Sequence, residues 1–203
     1  MKRFTRLLAL STCLFAPTTA LFAETPPAPE VALARGLLMS HQGRLIFSPC
    51  RDRNYMDVSD TSANQVVSTA MSRLSQNGSP LYVEFYAVLS NGRLEVSGLN
   101  FAHTDARCHA PRSGTGWRAI GSQSPWQLDT FNAQARLTGA DGSTQTTPVT
   151  VHELASGGSR MEADGSVKQT WLFEPKLCEL PGQGIVTGWS ATGPAGPGCG
   201  WKP

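Results

Sequence analysis

The sequence predicts a mostly β protein with one helix, divided into two small β-rich domains. Short apolar runs alternate with Gly-, Asn- and Asp-rich turn signals along most of the chain. Apolar residues recur at helical spacing in one segment only. The composition also changes near residues 110–116, since all three tyrosines precede this segment and all five tryptophans follow it. We therefore expect two domains joined there, and one continuous β structure is the alternative.

The N-terminus has the organisation of a secretory signal peptide. Lys2, Arg3 and Arg6 precede an apolar run that ends in small residues. The run is too short and too interrupted to be a transmembrane segment. We expect residues 1–23 to be a signal peptide cleaved after Ala23, which places the protein in the periplasm or outside the cell.

Cys13 raises the alternative of a lipoprotein. The residue before it, Thr12, is a poor match to a lipidation signal, and lipidation would leave the apolar stretch "LFAPTTALFA" exposed. We therefore expect no lipid at Cys13. The next segment, residues 24–31, is a stiff, Pro-rich lead.

The net charge argues against a nucleic-acid partner. The whole chain carries +2, but the signal peptide holds three basic residues and no acidic one. The remaining chain therefore has a formal charge of −1, with 14 basic against 15 acidic residues. Such a chain has no basic field to attract nucleic acid or anionic lipid.

The first domain, residues 32–111, contains five predicted strands. Two apolar runs flank the turn signal Gln42-Gly43, and "NYMDV" offers a third strand. The alternating run "LYVEFYAVL" and the returning run "RLEVSGL" flank Asn91-Gly92. These two pairs predict hairpins at both ends of the domain.

A helix is predicted between the third and fourth strands. Asp60, Thr61 and Ser62 offer an N-cap, and Asn77-Gly78 ends the periodic run. The residues at helical spacing are Val66, Val67, Ala70, Met71 and Leu74. The resulting order, β-β-β-α-β-β, is that of an OB-like small barrel.

The second domain, residues 117–203, follows a linker at residues 112–116 and reads as an antiparallel β sheet or barrel. Three runs are typical of strands: "WQLDTFNAQARLTG", "TTPVTVHEL" and "KQTWLFEPKL". We expect the Gly/Pro-rich C-terminus to hold one strand, "GIVTGWSAT", and otherwise irregular chain.

The four cysteines after the signal peptide are expected to be oxidised in an exported protein. Four cysteines allow three connectivities. The domain division favours Cys50 with Cys108 and Cys178 with Cys199, so that each domain is closed by its own disulfide.

The other candidate site residues are few. His41, His103 and His109 are weak candidates for a metal site, because they are scattered and form no tight ligand pattern. Tyr82 and Tyr86 lie on one side of a strand and could form a binding platform, while Glu84 between them is expected to face solvent. No catalytic motif is present: "GWSATG" misses the serine-hydrolase pattern by one residue. We therefore expect no enzyme, no cofactor and no bound metal.

Two stretches resemble a group of exported Gram-negative envelope proteins that is loosely related to the NlpE-type copper-resistance and envelope-stress lipoproteins. "GLLMSHQGRLIFSPCRDRNYMDV" is similar to their first-domain motif, and "WRAIGSQSPWQLDTFNAQARLTG" to their second-domain opening. The closing cysteine pair around "GWSAT" is also similar. The resemblance implies an envelope location and two β domains. The NlpE-type C-x-x-C is absent, so copper binding and thiol sensing are not carried over.

These observations predict a periplasmic, non-enzymatic protein with two structural disulfides and a binding or envelope-stress-related role. Its partner would be an envelope protein or a small ligand. One alternative is an inhibitor or immunity protein that inserts the Cys178–Cys199 loop, with Trp189, into a partner's cleft. The other alternative is the handling of copper or another metal.

Overall fold

The computed structural model describes residues 30–52, 54–75, 78–108, 116–165, 167–180 and 182–202. The predicted signal peptide, residues 24–29 of the Pro-rich lead and most of the predicted linker lie outside these residues. The described chain is mostly β, with one short helix, as predicted. Its elements are β1 (Ala32–His41), β2 (Arg44–Pro49), β3 (Met56–Asp60), α1 (Val66–Leu74), β4 (Leu81–Ser90), β5 (Arg93–His103), β6 (Arg118–Gly121), β7 (Gln127–Phe131), β8 (Gln134–Thr138), β9 (Thr144–Glu153), β10 (Ser159–Asp164), β11 (Lys168–Glu174), β12 (Cys178–Leu180), β13 (Ile185–Thr187), β14 (Trp189–Gly193) and β15 (Gly196–Trp201).

The first five strands close a small barrel. They lie in the order β1-β2-β3-β5-β4, and β4 pairs again with β1. All neighbours are antiparallel except β3 and β5, which are parallel. This closed arrangement, with a helix between β3 and β4, confirms the OB-like barrel.

Helix α1 packs against this barrel through the residues that the periodicity selected. Val67, Ala70, Met71 and Leu74 are buried in the same core as the strand side chains. A 3-10 turn (Ala63–Gln65) precedes α1, so the N-cap residue of the helix is Gln65, without a side-chain cap hydrogen bond, and not one of the predicted Asp60, Thr61 or Ser62. Ser62 still contacts the first turn, since the Val66 N–H donates to Ser62 Oγ over 3.0 Å. The Asp60 carboxylate accepts the Ser68 N–H over 2.8 Å, which satisfies a second free donor of the first turn.

The second region forms a closed eight-stranded barrel. Its order is β10-β11-β14-β15-β6-β7-β8-β9, and all pairs are antiparallel. The core contains the tryptophans at 117, 126 and 171 with Met161 and Phe173. Of the two predicted forms of this domain, sheet or barrel, the barrel is present.

The C-terminal residues differ from the expectation of mostly irregular chain. Residues 178–201 hold four strands, β12 to β15. Only β14 and β15 belong to the second barrel, whereas β13 pairs with β5 and extends the first sheet together with β12. The hydrogen-bonded sheets therefore do not follow the predicted boundary in the sequence. After β11 of the second barrel, the chain returns to the first sheet as β12 and β13, and then re-enters the second barrel as β14 and β15.

Candidate functional site: a cleft between the two barrels

The two barrels are joined at a buried amide. Asn100 is fully buried, and its Nδ2–H donates to the Lys202 carbonyl over 2.6 Å. The Lys202 N–H donates in return to Asn100 Oδ1 over 2.9 Å. The register of β4 and β5 shifts at this point, so that Asn100 has no residue opposite it in β4. A β-bulge of this kind redirects a side chain, and here it directs the amide at Lys202, the residue after the last strand of the second barrel.

The Glu84 carboxylate of the first barrel also belongs to this joint. Asn100 Nδ2 also donates to Glu84 Oε2 over 3.0 Å, and the Tyr82 hydroxyl donates to Glu84 Oε1 over 2.7 Å. Arg35 Nε lies 3.4 Å from the same oxygen. Glu84 was expected to face solvent, but its side chain is only 13% exposed, because Arg35, Tyr82 and Asn100 lie around its carboxylate. Its three partners offset the cost of that burial.

Tyr82 belongs to this joint and not to a surface platform. It is only 2% exposed, and burial raises the pKa of its phenol well above the ordinary value, with the Glu84 carboxylate as the second cause. The two tyrosines that were predicted to form one platform therefore lie in different environments. Tyr86, four residues further along β4, borders a cleft between the barrels, and Tyr82 does not.

Both predicted disulfides are present. Cys50–Cys108 joins the residue after β2 to the segment after β5 within the first region. Cys178–Cys199 was expected to close the second domain, but it links β12 of the first sheet to β15 of the second barrel. It lies in a small apolar cluster with Leu180 and Ile185. This disulfide therefore fastens the two barrels together beside the polar joint.

The cleft lies beside this junction and has a volume of about 700 Å³. Helix α1 and the segment before it form one wall, the bulged part of β5 another, and the crossings between the barrels a third. Ligand sites of proteins commonly have this size and lie at domain interfaces. The lining residues are Val31, Ser62, Ala63, Asn64, Val66, Thr69, Arg73, Tyr86, Ser97, Gly98, Leu99, Pro175, Lys176, Leu177, Gly188 and Trp189.

A glycine is required where the chain crosses from β13 to β14. A Cβ on Gly188 would lie 1.8 Å from the Leu99 carbonyl oxygen, and the Gly188 N–H donates to the Asn100 carbonyl over 3.2 Å. This close approach brings the next residue, Trp189, to the cleft wall. Trp189 is half-buried there and packs edge-on against Trp117, with ring centroids 4.9 Å apart.

Two of the three residues predicted to bind a partner thus meet in one cleft. Tyr86 and Trp189 come from different barrels, and the structure brings them together. The Trp189 indole Nε1 is buried without a hydrogen-bond acceptor among the described residues. Burial also raises the pKa of Tyr86, so its phenol stays neutral at physiological pH.

The charges at the cleft have one sign. Arg73 and Lys176 line it, and the described lining residues include no Asp or Glu. Arg73 Nη1 lies 3.3 Å from Glu179 Oε2, but both side chains remain about half exposed. Lys176 forms no ion pair within the described part of the chain. Neither basic residue was singled out from the sequence, because a lone Arg on a helix and a lone Lys after a strand carry no motif.

A second, smaller pocket of about 330 Å³ lies on the first barrel near the β1–β2 and β4–β5 turns. It is polar and contains both signs of charge. Arg44 is paired with Asp57, and Asp60 is occupied by the start of α1. Its charges are therefore largely engaged by the protein itself, which makes Arg93 on its wall a useful control position.

The histidines do not form a common site. His41 is exposed at the end of β1, and His103 stacks on Phe101 with its Nδ1 accepting the Asp105 N–H over 2.9 Å. His109 lies outside the described residues. Among the residues that are described, no group of three or more His, Cys, Asp or Glu side chains could hold a metal ion.

Two other predictions are affected by the local structure. The residues between Cys178 and Cys199 are strands of two sheets, so they do not form the projecting loop that the inhibitor alternative requires. Ser190 lies inside β14, whereas a hydrolase nucleophile sits at a strand-to-helix turn.

None of the helices in the described ranges is long and apolar enough to cross a membrane.

No protein-family model, curated protein or solved structure matches this chain. The class of the protein is therefore described from its own fold and cleft. It is a β protein in which an OB-like barrel and an eight-stranded barrel are joined beside a partly apolar cleft, whose charged lining residues among those described are all basic.

Proposed function

We propose that this is a non-enzymatic periplasmic binding protein that holds an anionic ligand with an apolar body in the cleft between its barrels. The cleft supports this proposal, because aromatic side chains from both barrels and two basic side chains converge on one volume that fits a small ligand. The ligand's apolar body would pack on Tyr86 and Trp189. Its anionic group would lie near Arg73 and Lys176.

The chemistry of the wall supports an anion over a neutral or cationic ligand. Charge-assisted hydrogen bonds from Arg or Lys to an anionic oxygen are about twice as strong as neutral ones. The described lining residues include no carboxylate, and Glu179, which pairs with Arg73 over 3.3 Å, lies outside the lining. The predicted export signal supports an envelope location, where a role in stress sensing would begin with ligand capture.

A matched pair of dyes tests the proposal. The anionic probe is 1-anilinonaphthalene-8-sulfonate, and the neutral probe is N-phenyl-1-naphthylamine, which has a similar apolar body without the sulfonate. We expect the anionic dye to bind at one site and at least about tenfold more tightly, which corresponds to one charged contact of about 1.4 kcal/mol. Fluorescence titration of protein purified from the periplasm, with its intact mass checked for a start at Glu24, measures both affinities.

Substitutions assign the site. Arg73→Met with Lys176→Met is expected to abolish the preference for the anionic dye, whereas Arg93→Met, on the other pocket, leaves it unchanged. Tyr86→Ser is expected to weaken both dyes, whereas Tyr55→Ser changes neither, because Tyr55 is 69% exposed and lies outside the cleft. Equal binding of the two dyes, or equal effects of Arg73 and Arg93 substitution, would exclude an anion site in this cleft.

A further inference from the structure

We infer that residues 24–30 of the Pro-rich lead dock in the cleft and are displaced by the ligand. This inference rests on the proposed function for the ligand, but the docking of the lead is tested separately. Three observations support it: the place where the lead joins the folded chain, the composition of the lead, and the side chains that line the cleft.

The lead leaves the fold at the edge of the cleft. Val31 is the second described residue, and it is one of the residues that line the cleft. Strand β1 begins at the next residue. A segment of seven residues in a polyproline II conformation spans about 20 Å, at about 3.1 Å per residue. The cleft, with a volume of about 700 Å³, is therefore within reach of every residue of the lead.

The lead's composition matches the cleft's wall. Its sequence is "ETPPAPE", in which the Pro26-Pro27-Ala28-Pro29 stretch has the P-x-x-P spacing. Segments of this type dock in grooves lined by aromatic rings, because they lose little conformational entropy on binding. Tyr86 and Trp189 supply such rings from opposite sides of the junction.

The charges are complementary as well. Glu24 and Glu30 flank the prolines, and the lead contains no basic residue. The cleft offers Arg73 and Lys176 and, within its described lining, no acidic side chain. The lead therefore has the properties proposed for the ligand, an apolar body with anionic groups. A short tether holds it at an effective concentration of about a millimolar, so even weak docking is populated.

Fluorine NMR of the full chain labelled with 5-fluorotryptophan tests the docking. Five resonances are assigned by single Trp→Phe substitutions. Two lead variants are compared with the wild type: one carries Glu24→Lys and Glu30→Lys, and the other carries Pro26→Ser, Pro27→Ser and Pro29→Ser. All of the substituted positions precede β1. We expect the Trp189 resonance to shift in both variants and the Trp126 resonance, from the core of the second barrel, to stay in place.

The same variants change dye binding in a predictable direction. If the lead occupies most of the cleft, the apparent affinity of wild type for 1-anilinonaphthalene-8-sulfonate is reduced by the unoccupied fraction. Both variants should therefore bind the dye about fivefold more tightly than the wild type. The wild-type Trp189 resonance should not move on dilution, since the docking is intramolecular; movement on dilution would show that the lead of a second copy occupies the cleft and would overturn the inference.

The outcomes separate the two proposals. If the Trp189 resonance and the dye affinity are unchanged in both lead variants, while Arg73→Met with Lys176→Met still abolishes the preference for the anionic dye, the docking is overturned and the proposed function stays intact. Shifted Trp189 resonances, with dye binding insensitive to Arg73 and Lys176, would support the docking and overturn the proposed function.

Discussion

The two barrels solve the same packing problem in different ways. The five-stranded barrel is narrow enough for large side chains from its own strands to fill it, and Phe47 and Phe85 meet in it with ring centroids 4.8 Å apart. Helix α1 adds the remaining apolar surface. The eight-stranded barrel has a larger circumference and no helix packed on it among its described elements. It fills its interior with indole rings instead.

Indole rings need space on the neighbouring strands, and glycines provide it. A Cβ on Gly193 would lie 2.2 Å from Trp171 Cδ1, and one on Gly198 would lie 2.7 Å from Trp126 Cζ2. The first barrel also uses this arrangement, at Gly36 beside Phe47. A Gly-rich segment in a sequence that also contains several tryptophans can therefore form strands, because indole rings from other strands fill the space above its glycines.

The largest expected effect tests this packing. Trp171→Ala should lower the free energy of unfolding by about 3–5 kcal/mol, as for other buried tryptophans. Gly193→Ala should lower it by about 1–3 kcal/mol through overpacking. Gly98→Ala is the matched control, because its added Cβ would meet only Tyr86 Cδ2 at 3.8 Å. Chemical denaturation followed by circular dichroism measures all three, and a Gly193→Ala variant as stable as Gly98→Ala would refute the ring-on-glycine account.

The disulfides sharpen the comparison between a bond within a barrel and a bond between barrels. Replacing both Cys50 and Cys108 by Ala should cost about 4 kcal/mol by loop entropy, and replacing Cys178 and Cys199 about 3 kcal/mol. Removal of Cys178–Cys199 should cost less stability but reduce the cooperativity of unfolding more, since this disulfide joins strands of the two sheets. Calorimetry should show two separate transitions only for the Cys178/Cys199 variant; identical profiles for the two variants would contradict this role.

The smallest effect concerns the polar joint. Tyr82→Phe removes one hydrogen bond to Glu84 and should cost about 1 kcal/mol at neutral pH. In the wild type, the raised pKa of Tyr82 keeps its proton in the folded state after the unfolded chain has lost it. The free energy of unfolding should therefore fall as the pH rises above about 10.

Urea titrations at several alkaline pH values measure that slope. Tyr82→Phe should make the decrease shallower. Tyr86→Phe is the control from the same strand face: it retains Tyr82 and its hydrogen bond to Glu84, so part of the decrease should persist. If Tyr82→Phe leaves the pH dependence of the free energy of unfolding unchanged, the Tyr82 proton does not stabilise the joint.

Local patterns in the sequence were sufficient for much of the fold. Helix α1 followed from its apolar spacing, because that pattern depends on residues within a few turns of one another. The five strands of the first barrel followed from period-2 alternation and turn signals. The cysteine pairing followed from the division of aromatic residues along the chain. The signal peptide, the envelope role and the NlpE-type resemblance remain predictions, as do the domain boundaries.

Tertiary structure decided the site. Alternation placed Tyr82, Glu84 and Tyr86 on one face of β4, but only the packing of the second barrel determined which of them is buried in the joint and which borders the cleft. Likewise, β3 pairs with the first part of β5 and leaves the edge of residues 101–103 open. Strand β13 pairs with that edge from 82 residues further along the chain, counting from His103 to Ile185. No local pattern encodes this pairing, because an open edge and its partner are related only through the closed shape of the barrel.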